Sequence, residues 1–458
     1  MYPSRRAGVS CVLLLALLLP VLLFSLPVSA EAAAFPDTSE ASAVYFYHLE
    51  SQRRIGAKNE TERYPAGSTV KLLSGLIACE RLQGQLDETV QITEEMIADS
   101  TGHRYHMEAG EIYTVEQLLY LAVCGSYNDA YDTLAYLIGG GSVQEFVNLM
   151  NQRAAELGAK STTATDPTGI ADSSFTSAED LFRIALSAVQ NPLYMQICGS
   201  EAYDMPEGRI YNRNALVSKA TEDRYYNPYC SGLTAGSTTL GQASVITLAQ
   251  KDNDSYLCVV LGARDESDEE GGEVYSYVVA NRLIDWGYDN FSYLEVLTPD
   301  TVVCTLPVTV SDLTDSVNVS PDASLSLYVP VGAEVGRDIT FSIRLMYEEL
   351  EAPVREGMHV GYVAVVYDGE IIGTAGLYTA GTAERSSFVS QLMKIQSLTK
   401  NRKVRAGGIF FLVALVGWLL TETLVARHRR HKWDKYFSRK IDMPETLLRR
   451  RNPPNKRR

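Results

Sequence analysis

Two apolar runs, one at each end, constrain this chain more than any other feature. The first extends from Val9 to about Val28 behind Arg5 and Arg6, and Val28-Ser29-Ala30 has the small-residue pattern of a processing site. It predicts a signal peptide over 1–30, although its length leaves an uncleaved anchor open. The second, Gly407 through Ala426, has Glu422 as its single charged residue. A run of about 20 apolar residues is enough to span a bilayer, so a transmembrane helix is expected over 407–426. Residues 427–458 then carry 13 Lys/Arg against 3 Asp/Glu. By the positive-inside rule that tail is cytoplasmic and the body before the helix extracytoplasmic. The chain is thus expected at the cell membrane, with a single C-terminal span and its folded body outside.

Charge separates the body from the tail. With +10 in the tail and +2 in the first thirty residues against −15 overall, residues 31–426 carry −27. An acidic body argues against nucleic acid as a partner. The tail can touch anionic headgroups of the cytoplasmic membrane, or act only as a topology signal. Beyond Cys11, six cysteines remain: Cys79, Cys124, Cys198, Cys230, Cys258 and Cys304. Export permits disulfides, and buried free thiols are equally open. No Cys-x-x-Cys pair or Cys/His cluster is present, so no metal and no cofactor are expected.

Between the two runs the hydrophobic period changes twice. Ala43–Tyr47 and Arg54–Ala57 read as a strand pair. Helical patterns follow: one from Ser68 to about Leu82, one from Val115 to Val123, one around Tyr131–Ile138, then 142–157 and Ser177–Val189. Thr114 with Gln117 three residues on is a capping-box pattern. Ser231–Thr238, Ser244–Ala249 and Tyr256–Gly262 read as consecutive antiparallel strands, closed by a helix over Val274–Trp286. The expected fold class is α+β, helices packed on an antiparallel sheet over 38–290. A small all-β, sandwich-like module follows over 294–383, with short strands such as Ser324–Val329, Thr340–Leu345 and Val360–Tyr367. Residues 384–406 connect it to the membrane helix.

The chemistry begins at Ser68-Thr69-Val70-Lys71. Positions i and i+3 share a helix face, so the amine can reach the hydroxyl. A helix N-terminus and burial both lower a lysine pKa, which lets a neutral amine take the serine proton. The same helix end offers N–H groups to an oxyanion. A Ser-x-x-Lys alone is weak, because a plain helix start looks the same. Two further stretches strengthen it: Ser126-Tyr127-Asn128 at a helix junction, and the Gly-rich strand Ser231–Thr238.

The order and spacing of these blocks resemble the penicillin-binding proteins and serine β-lactamases, and within them the low-molecular-mass D-alanyl-D-alanine carboxypeptidases. Tyr64-Pro65-Ala66-Gly67-Ser68, Gly125–Ala130 and Tyr211-Asn212-Arg213-Asn214 each resemble a family block, and the resemblance extends from about 40 to 395. It implies a β-lactamase/transpeptidase-like domain, a membrane-proximal second domain and a C-terminal anchor. It implies Ser68 as nucleophile and Lys71 as base. Ser126 would relay a proton to the leaving amine, and Asn128 would bond the substrate amide and Lys71. The backbone N–H groups of Ser68 and Ser237 would form the oxyanion hole. The implied substrate is the peptidoglycan stem peptide, with β-lactams as covalent inhibitors.

One block departs from the family pattern. Where the family has Lys-Thr-Gly, this chain has Thr234-Ala235-Gly236, followed by Ser237. The family lysine is a fixed cation for the substrate carboxylate, and residues 225–250 contain none. Arg213 is the nearest candidate replacement, ahead of Arg264 and Lys219. Two readings follow: a carboxypeptidase, or a degenerate member that binds peptidoglycan or β-lactam with little turnover. A β-lactamase is the weaker third, since no glutamate near Thr165–Ile170 is placed to activate a deacylating water.

Overall fold

A five-stranded antiparallel sheet carries the first part of the chain. Its strands are β1 (Ala43–His48), β2 (Arg53–Lys58), β3 (Cys230–Ser237), β4 (Gln242–Lys251) and β5 (Asp254–Arg264), in the order β2-β1-β5-β4-β3. The computed structural model describes residues 34–171, 173–400 and 402–438. The expected signal peptide and the tail beyond 438 lie outside them.

Successive strand residues face opposite sides, and here both sides are covered. Leu257, Val259 and Leu261 of β5 pack with Leu72, Leu76, Leu134, Phe146 and Leu181 from the helices. Their neighbours Tyr256, Cys258 and Val260 pack with Val44, Phe46, Val279 and Leu283 on the other side. A strand buried on both faces needs a near-continuous apolar run, and Tyr256–Leu261 supplies one, with every residue at 0% exposure.

The helices that bear on the site are α1 (Lys71–Leu82), α2 (Val115–Leu119), α3 (Asn128–Ile138), α4 (Val143–Glu156), α5 (Ala178–Val189), α6 (Pro192–Cys198) and α7 (Tyr275–Asn290). The capping box is present at α2: Thr114 accepts from Gln117 N and the Gln117 side chain accepts from Thr114 N. Ser142 and Ser177 cap α4 and α5 in the same way, by accepting from the third residue on. The six cysteines among the described residues are free thiols, five of them buried.

The chain divides into two compact units, one holding residues up to Val296 together with Ser326–Thr340, the other Leu297–Leu325 and Phe341 onward. Strand β6 (Phe291–Leu297) pairs with β9 (Leu325–Pro330), so Tyr328 packs within the first unit, 3.7 Å from the His48 ring. The second unit is all-β up to its last two helices. Strands β7 (Cys304–Thr309), β8 (Ser316–Pro321), β10 (Ile339–Leu345), β11 (Leu350–Glu351), β12 (His359–Tyr367) and β13 (Glu370–Thr379) form one sheet, ordered β10-β12-β13-β8-β7-β11. The expected connector is itself largely helical, as α8 (Ser387–Lys400), and α9 (Arg402–Ser438) follows. Within α9, Arg405–Lys432 is long and apolar enough to cross a membrane, and its most apolar stretch of 18 residues has a mean hydropathy of 2.2.

Gly287 shows how closely α7 lies on the sheet. A Cβ there would fall 2.7 Å from the Tyr256 ring and 2.9 Å from the Phe46 ring. Both rings are fully buried and cannot swing away. Gly287→Ala gains about 1 kcal/mol in helix propensity, against about 1–3 kcal/mol for overpacking. The expected net result is a lower thermal unfolding midpoint, by several degrees, read by circular dichroism.

Candidate active site

Ser68 lies in a single 3₁₀ turn, Gly67–Val70, that leads directly into α1. Glycines from three segments let this turn be enclosed so tightly. Gly67 has φ +48°, and a Cβ on it would fall 2.6 Å from the Ser237 carbonyl oxygen. Gly169, at φ +74°, approaches the Gly67 carbonyl so closely that a Cβ would sit 1.8 Å from it. A Cβ on Gly236 would lie 2.6 Å from Ser68 Cβ. Strand β3 therefore presses its backbone against the serine with no side chain between.

Lys71 opens α1 and is 3% exposed. Its amine donates to the Ser126 carbonyl oxygen at 2.8 Å and to Ser126 Oγ at 3.1 Å. Burial pulls its pKa down to about 7, and Arg213 adds to the depression, while Asp132, Asp166 and Asp129 oppose it. Near neutral pH the amine is therefore partly unprotonated. A neutral amine has two hydrogens, enough for both Ser126 contacts, and a lone pair left to accept a proton.

Ser126 is placed by an irregular helix end. The π-helical segment Tyr120–Cys124 follows α2, and Gly125 N bonds to Tyr120 O at 3.0 Å. Such segments recur at functional sites. Ser126 itself has φ +59°, a left-handed conformation that a serine adopts only when its surroundings hold it there. Asn128 begins α3 and is buried. Its Nδ2 donates to Thr101 O at 2.6 Å, and its Oδ1 is buried without a partner among the described residues. The expected bond between Asn128 and Lys71 is not made: the Lys71 amine donates to the two Ser126 oxygens instead. The free Oδ1 is an acceptor for a substrate N–H.

Asp129, next along, accepts from the backbone N–H groups of Tyr105, His106 and Met107 at 3.0, 2.7 and 3.2 Å. It ties the 101–107 loop down beside Asn128. Burial raises Asp132, bonded to Ser100, to about 6. Asp166 accepts from the N–H groups of Thr168 and Gly169 at 2.8 and 2.5 Å and so shapes the turn that brings Gly169 onto Gly67. These three carboxylates escape a sequence reading. Asp129 falls inside the matched Asn-Asp-Ala block, and Asp166 carries an Asp-Pro turn signal, but nothing local marks Asp132.

Thr234, Ala235, Gly236 and Ser237 all lie in β3, paired with Ile246, Val245, Ser244 and Ala243. By alternation Thr234 shares the face of Gly236, which is the face toward Ser68. Ala235, Gly236 and Ser237 line a cleft of about 250 Å³ together with Arg213, and Ser68, Lys71, Ser126, Asn128 and Thr234 are not among its lining residues. Arg213 is exposed, and its N–H donates to Cys124 O at 3.0 Å. The other two candidate cations are engaged elsewhere. Arg264 pairs with Glu266 at 2.9 Å, and Lys219 lies over the Tyr226 ring at 4.6 Å.

Comparison with known proteins places this geometry. A model described as D-alanyl-D-alanine carboxypeptidase matches residues 29–265, and one described as penicillin-binding protein 5, C-terminal domain, matches 291–385. The D-alanyl-D-alanine carboxypeptidase DacF of Bacillus subtilis is 23% identical over 363 residues, which is 78% of this chain and 89% of that one. DacB2 of Mycobacterium tuberculosis, of the same description, is 30% identical over 247 residues, covering 52% of this chain and 79% of its own. The fold is that of penicillin binding protein 5 from Haemophilus influenzae, with a TM-score of 0.56 at 21% identity over 77% of this chain and 100% of that one.

The contact at Gly236 gives a direct test. In Gly236→Ala the added methyl meets Ser68 Cβ, so fluorescent-penicillin labelling of Ser68 is expected to fall at least tenfold. Far-UV circular dichroism should be unchanged.

Proposed function

The chain belongs to the serine-type D-alanyl-D-alanine carboxypeptidase family, and we propose that it is a membrane-anchored, extracytoplasmic enzyme that trims terminal D-Ala from peptidoglycan stem peptides. The observation that carries this reading is the buried Lys71 amine, one helical turn from Ser68 and bonded to Ser126.

The steps follow from these groups. Lys71 takes the Ser68 proton as Ser68 Oγ attacks the carbonyl of the penultimate residue. The oxyanion is held by the N–H groups of Ser68 and Ser237; losing one such donor typically costs about 3–4 kcal/mol. The proton on Lys71 passes through Ser126 Oγ to the leaving D-Ala amine, and the C–N bond breaks. Water then hydrolyses the acyl-Ser68 ester. Asn128 Oδ1 accepts from the substrate amide, and β3 aligns the extended peptide through its backbone. β-Lactams acylate Ser68 by the same first step. Helix α9, with its basic flank, anchors the enzyme with the site outside.

Arg213 supplies the positive charge that β3 lacks. It lines the cleft beside Ala235–Ser237, and its charge reaches Lys71. An exposed guanidinium on a loop is a weaker substitute than a fixed strand lysine, and that supports the second reading, a binder with little turnover.

D-Ala release from a pentapeptide by the full-length chain in detergent separates the two. Release that disappears in Ser68→Ala and drops roughly tenfold or more in Arg213→Ala supports the enzyme. A charged hydrogen bond is worth about 1.5–3 kcal/mol, so Thr234→Lys should raise turnover by roughly tenfold or more. Penicillin labelling without any D-Ala release from the wild type would establish the binder instead.

Lys71 also sets a pH dependence. The active form is the unprotonated amine, so the rate of acylation by penicillin should rise as pH increases through about 7. A rate that is flat from pH 5.5 to 8.5 would remove Lys71 as the base.

A further inference from the structure

Far from Ser68, at the other end of the sheet, three potential ligands converge. His48 closes β1 and pairs in register with Tyr256, Asp254 opens β5, and Glu50 lies in the turn after β1. Gly236 pairs with Ser244 near the opposite end of β4. At about 3.3 Å per residue the two places are roughly 20 Å apart along the strands.

The His48 side chain has no solvent exposure. Its ring stacks on Tyr328 at 3.7 Å and an interplanar angle of 6°, with Tyr256 and Tyr293 at 5.2 and 6.2 Å. Nδ1 lies 2.8 Å from Ser51 Oγ, and it accepts from Ser51 N at 3.2 Å. Binding a cation takes the other tautomer: the ring proton moves to Nδ1 and is donated to the Ser51 hydroxyl, and Nε2 then presents a lone pair. Nε2 is buried and makes no hydrogen bond, and the same is true of Asp254 Oδ1, which faces it at 3.4 Å. Glu50 Oε2 lies 3.2 Å from Nε2 and is steadied by Ser255 N at 2.9 Å. The three ligand atoms lie within 4.8 Å of one another.

These distances have a meaning. Zinc bonds of about 2.0–2.1 Å in a tetrahedron put ligand atoms about 3.3 Å apart, and the two edges at Nε2 measure 3.2 and 3.4 Å. An imidazolium ion pair would instead align its N–H on a carboxylate oxygen, and that alignment is missing. A ligating histidine is usually held by a hydrogen bond from its far ring nitrogen, and Ser51 Oγ is placed to accept one. Glu50 and Asp254 side chains are 35% and 28% exposed, which leaves a route for an ion from solvent.

We propose that His48, Glu50 and Asp254 form a divalent-cation site, with zinc as the fitting ion, that clips the turn after β1 to the start of β5. The ligand set is one imidazole and two carboxylates, with a fourth position open. Its role is structural, because bound metal stabilises only the folded state.

The test uses the full-length, tag-free chain in detergent, stripped of metal and dialysed against micromolar zinc. The expected result is one zinc per chain and a higher thermal unfolding midpoint with zinc than without. His48→Gln, and separately Asp254→Asn, should weaken zinc binding at least tenfold and abolish the midpoint shift. Penicillin labelling of Ser68 reports that each variant is folded; Asp254→Asn, at a partly exposed position, serves if His48→Gln fails to fold. Cobalt in place of zinc should give visible d–d absorption that Asp254→Asn alters. A wild type that retains no zinc, or zinc held equally by the folded Asp254→Asn variant, would overturn the site.

Discussion

An amine buried inside a helical core is the constraint around which this protein is built. Holding Lys71 near 7 rather than 10.5 costs its protonated form roughly 5 kcal/mol. The fold tolerates this because two oxygens of Ser126 meet the amine and three carboxylates lie within electrostatic range. Each of those groups imposes its own condition. Ser126 must take a left-handed backbone, the preceding helix must end in a π segment, and Asp129 must hold the 101–107 loop. The site is a chain of such dependencies leading back to one nitrogen.

How much of this is legible in the sequence depends on how local each interaction is. Ser68 and Lys71 are one turn apart, and Ser126 and Asn128 share one junction, so short stretches reveal them. The capping box at Thr114 is wholly local and reads correctly. Strands β3, β4 and β5 are consecutive, β3 marked by its glycines and β4 and β5 by their apolar runs. Asp132 and the contact of Gly169 with Gly67 exist only once distant segments meet. Short α6 and the hairpin of Ala202–Met205 with Gly208–Tyr211 are too brief for periodicity to detect. Strand β9 reads as part of the following module, yet Ser326–Thr340 belongs to the first unit, drawn there by Tyr328 against the aromatic rings around His48.

Strand β3 carries no lysine, and the function proposed above rests its positive charge on Arg213. A strand lysine would be rigid and close to the scissile bond. Arg213 instead stands on an exposed loop, anchored through its own backbone and the buried Asn212 side chain, whose Nδ2 donates to Cys198 O and Ser200 O, both at 2.8 Å. A planar guanidinium suits a carboxylate, with two parallel hydrogen bonds. Reaching for the substrate from a loop, however, requires ordering a long side chain, and that entropy opposes binding.

The three glycines around Ser68 also bear on how such a protein can diverge. Where backbone meets backbone at Gly67, Gly169 and Gly236, there is no side chain to exchange. The floor of the site is frozen by sterics, whatever peptide lies above it. On the function proposed above, substrate preference is left to the walls, to residues such as Arg213 and Thr234. Relatives with this floor can therefore drift far in what they accept while keeping one way of presenting the serine.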